Sequence, residues 1–166
     1  VVEALELTED DFLKLVNHLF ETRQVNLVPT LIPLLENHKT PKTLKFLHQK
    51  AEETGSPHIR AYCTLALYRL REPGAHEEKL KNWISHFKKT ELFHLKPPLP
   101  FEMRVLSKNS SYELSPEESS RLLIDIYETL SLRHDTESLD LLIEGIKEGH
   151  PQNRYILAGL LIQAIQ

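Results

Sequence analysis

The hexapeptide Gly55-Ser56-Pro57-His58-Ile59-Arg60 returns near the end of the chain as Gly149-His150-Pro151-Gln152-Asn153-Arg154, with Gly, Pro and Arg at one shared offset. Apolar positions then run in phase: Tyr62 with Ile156, Cys63 with Leu157, Ala66 with Leu160, Leu67 with Leu161. Ahead of each glycine lies a segment of helical spacing, in which Leu47 and Ala51 match Leu141 and Gly145. Each copy therefore reads as a helix, a glycine turn able to adopt positive φ, and a second helix opened by proline, whose missing N–H costs nothing there. An Arg stands in the first turn of that second helix. Neither helix can bury its apolar stripe alone, so such units stack. The fold class that follows is all-α, a row of stacked helix pairs.

Working outward, helix starts are well marked. Thr8 with Asp11 resembles a capping box ahead of Phe12, Leu15, Val16 and Leu19. Thr40-Pro41 and Ser56-Pro57 each offer a capping side chain followed by proline at the first helical position. Ser115-Pro116-Glu117-Glu118, Asp135 and His150-Pro151 mark three more starts. Apolar spacing between these marks predicts about eight helices: 8–22, 25–37, 41–54, 57–71, 76–89, 116–132, 136–148 and 151–165. Pro29 and Pro33 predict a late start or a kink in the second. The segments over 57–71 and 151–165 are apolar around most of their circumference, which predicts burial on several sides.

The helix-turn-helix rhythm resembles the HEAT repeat family, whose units place an acid or Asn near the end of the first helix and a basic residue near the start of the second. Glu148 and Arg154 hold those places in the last unit; in the earlier one Arg60 matches and Thr54 stands where the acid would be. The family's proline in the first helix is absent from both units, though Pro29 with Asn37 supplies that pattern upstream. The resemblance implies a right-handed α-solenoid of antiparallel helix pairs forming one domain over 1–166. Helix parity gives pairs over 8–37, 41–71, 76–132 and 136–165, with 90–115 as a long loop inside the third.

Composition narrows the function classes. The 166 residues, 40% hydrophobic and 27% charged, are enough for a substantial core and typical of a globular chain. Five glycines are few for a turn-dense β fold. A net charge of −4 weighs against a nucleic-acid domain. The single cysteine, Cys63, excludes an intramolecular disulfide and fits a reducing compartment, so a cytoplasmic location is expected. No apolar run approaches the ~20 residues needed to span a bilayer. The opening Val1-Val2-Glu3-Ala4, without Met, reads as a fragment of a longer chain or a processed one.

The most distinctive stretch is 90–115. Pro97, Pro98 and Pro100 oppose a helix and favour polyproline II. Phe101, Met103 and Val105 alternate with Glu102 and Arg104, an extended pattern that a hairpin return at Tyr112 and Leu114 would pair. Loops this long are commonly functional or disordered. Phe93, Leu95, Pro97, Pro98, Pro100, Phe101 and Met103 are accordingly the candidate partner-binding residues; the plainer reading is an insertion whose apolar residues cover the helices. Gly55, Pro57, Arg60, Glu148, Gly149, Pro151 and Arg154 are structural repeat positions, the two arginines tethering helix turns rather than binding an anion.

Other candidates reduce to structure. Lys79, Lys81, Lys88 and Lys89 flank Trp83 and Phe87, yet Leu80, Trp83, Ile84 and Phe87 follow helical spacing, so the aromatics read as core and the lysines as a solvated face. None of the nine histidines is three or four residues from another, as a helical zinc site requires. Cys63, inside an apolar helix, reads as an inert buried thiol. No catalytic constellation, cofactor motif or metal site emerges. The expected function is a non-catalytic scaffold for a protein or peptide partner, bound through a helical face, the 90–115 loop, or both. The alternatives are a HEAT-like nucleic-acid module or enzyme, resembling DNA glycosylases or bilin lyases, and a tetratricopeptide-type array. The apolar last helix cannot satisfy all its side chains against one neighbour, so self-association, a partner or further repeats would cover it.

Overall fold

The computed structural model describes residues 8–22, 27–53, 56–89, 116–149 and 151–166. All regular structure among them is helical: α1 (Glu9–Glu21), α2 (Val28–Asn37), α3 (Pro41–Glu52), α4 (Pro57–Arg69), α5 (His76–Lys89), α6 (Pro116–Ser131), α7 (Thr136–Glu148) and α8 (Pro151–Ile165). The chain forms two compact units, Val1–Gly74 and Ala75–Gln166. The expected arm residues Phe93, Leu95, Pro97, Pro98, Pro100, Phe101 and Met103, with the rest of 90–115, lie outside the described residues, as does Gly55.

Capping chemistry sets the boundaries. The Thr8 hydroxyl accepts from the Asp11 amide at 3.3 Å and donates to the Asp11 carboxylate at 2.7 Å, closing the first turn of α1. Thr40 caps α3 through the Thr43 amide, and Asp135 caps α7 through the Ser138 amide. Ser56 stands at the cap of α4 but its hydroxyl makes no capping bond, leaving Pro57 at the first helical position to set the start. In α2 the helix begins at Val28 with Pro29 in its first turn and continues through Pro33.

The glycine turn behaves differently from expectation. Gly149 takes φ −74° and ψ 168°, an extended conformation open to any residue. Left-handed backbone appears instead at Arg71, φ 58°, and His134, φ 56°. After α4 the Arg71 amide donates to Tyr68 and the Glu72 amide to Leu67, the paired bonds of a Schellman ending. That ending is normally assigned to glycine, and Arg71 carries the Cβ strain.

In the first unit α4 packs on α3 and α2. Its residues from Ala61 to Leu67 are buried without interruption, as expected for a helix apolar all round. α1 is tied to α3 at both ends. Asp10 pairs with Lys42 at 2.9 Å, Glu9 accepts from the Thr40 hydroxyl, and Phe20 stacks on Phe46 with centroids 6.0 Å apart. The buried Lys50 is satisfied by Glu53 at 3.0 Å. Lys39 donates to the last carbonyl region of α4, at Leu70, and Arg69 reaches Glu36 of α2 at 3.4 Å. Cys63 is fully buried, and burial pushes its thiol up to about 12.

The second unit repeats the arrangement: α8 packs on α7 and α6 as α4 packs on α3 and α2, while α5 lies against α6. Of the in-phase pairs, Cys63 and Leu157 are both buried. Ile156 is exposed where Tyr62 is buried, and Leu142 rather than Leu141 takes the buried place of Leu47. The three helices meet at Gly145, buried in the middle of α7. A Cβ there would lie 2.9 Å from the Tyr127 Oη of α6 and 3.1 Å from a Leu157 methyl of α8. The Tyr127 hydroxyl is itself buried without a hydrogen-bond partner. Burial, with the charges of Glu144 and Glu148, raises its pKa well above the ordinary tyrosine range.

Three substitutions test this packing and the left-handed turn, each readable by urea unfolding. Gly145→Ala gains about 1 kcal/mol of helix propensity but overpacks the core at about 1–3 kcal/mol, so a net loss of about 1 kcal/mol is expected. Tyr127→Phe removes an unsatisfied hydroxyl and is expected to be neutral or stabilising. Part of the Gly145→Ala cost should vanish in that background, the contacts of the new Cβ with the ring carbon at 3.0 Å and with Leu157 at 3.1 Å remaining; strictly additive effects would contradict the close approach of the hydroxyl. Arg71→Gly should stabilise by roughly 1 kcal/mol by relieving the left-handed position.

Candidate interaction surface

The described residues place one large uncharged surface on the outer face of α8, and its position follows from three anchors. At the N-terminal end Arg154 donates through Nε to the Gly149 carbonyl at 2.7 Å and through a terminal nitrogen to the Lys147 carbonyl at 2.9 Å. These carbonyls lie at the end of α7, where helix geometry leaves acceptors unsatisfied, so the guanidinium caps one helix from the first turn of the next. The tether runs to backbone oxygens rather than to the Glu148 carboxylate. In the middle, Leu157 sits against Gly145. At the far end His134 Nδ1 lies 2.6 Å from the Ala164 carbonyl, which can only accept, so this ring nitrogen carries the proton.

Asn153, Leu157 and Ala164 make up the buried side of α8. The opposite side exposes Tyr155 at 81% and Ile162 at 56%, with Ile156 at 47% and Ile165 at 65% on its two flanks. At 3.6 residues per turn, Tyr155, Gly159, Ile162 and Gln166 fall within roughly 60° of one another. A Cβ on Gly159 would meet nothing within 4 Å. From Tyr155 to Gln166 no side chain is ionisable apart from the tyrosine phenol. An exposed apolar patch of this kind is the informative departure for a folded chain.

Five charged side chains of the second unit form a network of their own. Lys81 of α5 contacts Glu77 and Glu137 at 2.8 Å each, and Arg133 contacts Glu77 and, at 2.7 Å, Asp135. This network joins the start of α5 to the turn between α6 and α7. The hydrogen bonds from Glu137 and Glu77 raise the Lys81 pKa. Lys81 is thus neutralised within the fold rather than presented to an anion. Leu80 and Ile84 are buried and Trp83 is half-buried, in line with the core reading of that helix. Arg60 differs from its counterpart Arg154, its Nε being buried without a hydrogen-bond partner. Among the described residues no group of three or more His, Cys, Asp or Glu side chains converges as a metal would require, and no helix is long and apolar enough to cross a membrane.

The chain matches no model of a known protein family, no curated protein and no solved structure. What its surfaces can do is carried by their own chemistry. Sequence reasoning found α8 as too apolar for one neighbour but did not separate its faces. The signal was available in the uncharged stretch from Tyr155 onward, read at 100° per residue.

The turn that carries His134 should respond to acid. Hydrogen bonds from the Ser138 amide and side chain, with Arg133 and Lys81 nearby, hold the Asp135 carboxyl below its ordinary 3.8. A depressed folded pKa contributes stability above the unfolded value and loses it as pH falls through the folded one. Asp135→Ala should therefore cost about 1 kcal/mol near neutral pH. The gap from the parent chain should close in urea titrations run below pH 3.8. An unchanged gap at low pH would show that the carboxylate charge plays no part in the cap.

Proposed function

We propose that this chain is a non-catalytic, HEAT-like scaffold of helix pairs that holds a protein partner through a helical face. The observation that carries this reading is the outer face of α8, where Tyr155, Ile156, Ile162 and Ile165 are exposed on a helix anchored at both ends. A rigid apolar helix face matches how helical partners and grooves recognise one another, through anchors one turn apart. The shared packing of α4 on α3 and α2, and of α8 on α7 and α6, supports a repeat architecture. Stacked units of this kind suit extended protein surfaces better than small-molecule chemistry. The 90–115 segment, with its prolines and alternating apolar residues, is the second candidate surface, read from its sequence.

The test is affinity capture from native lysate with three folded baits: the intact chain, a 92–114 deletion, and Ile162→Lys, each read by quantitative mass spectrometry. A protein lost with Ile162→Lys assigns binding to α8, and one lost with the deletion assigns it to the arm. The expected outcome is at least a tenfold drop for Ile162→Lys, since a charge in an apolar contact costs more than about 1.4 kcal/mol. A captured set identical across all three baits, or an empty one, would sink the reading.

A further inference from the structure

We draw no further inference here: the strongest candidate, the exposed apolar face of α8 around Tyr155 and Ile162, is an unpartnered helix surface, and nothing in the structure shows what covers it.

Discussion

Three helices of the second unit approach one another closely at Gly145, where α7 carries no side chain. Tyr127 and Leu157 fill the space that a Cβ would occupy, at 2.9 and 3.1 Å, and the seating of α8 on α7 depends on that approach. Cores are packed so tightly that one methyl decides how near two backbones come. The arrangement leaves the Tyr127 hydroxyl buried and unpartnered, a cost the ring's apolar contacts must exceed. With α8 drawn onto Gly145, its opposite face is necessarily turned outward.

Polar contacts at helix ends then fix what the core leaves free. A helix packed by one stripe can still slide or pivot about it, and the ends are where that motion is largest. Arg154 closes the gap between α7 and α8, His134 holds the last turn of α8, and the network of Lys81, Arg133, Glu77, Glu137 and Asp135 ties α5 to the α6–α7 turn. The first unit uses the same device with other residues: Asp10 with Lys42, Glu9 with Thr40, Lys39 with the Leu70 carbonyl. Exposed ion pairs contribute little stability one at a time, commonly about 0–1 kcal/mol. Their consequence here is orientation, which matters for a helix whose outer face is offered to a partner.

The two Gly-Pro-Arg units show how far a repeat in sequence extends into space. Both second helices pack on the two helices before them, and Cys63 and Leu157 occupy matching buried positions. Their outer faces differ completely: Ala61 and Tyr62 are buried, whereas Tyr155 and Ile156 are exposed. The arginines differ too, Arg154 capping the preceding helix and Arg60 leaving its Nε unpartnered. The shared Gly, Pro and Arg positions thus support two different surfaces.

The helix boundaries were legible because capping is local. Thr8, Thr40 and Asp135 bond amides three residues away, and the prolines at 41, 57, 116 and 151 each open a helix within the same short range. The all-α class and the burial of α4 followed from apolar periodicity, which a single helix carries in its own sequence. Tertiary structure alone decided that Gly149 is extended while Arg71 and His134 take the left-handed turns, and that Gly145 is a meeting point of three helices. It alone separated the faces of α8. Those outcomes depend on which side chain arrives from a distant helix, and pairwise approach across space is not encoded in any window of neighbouring residues.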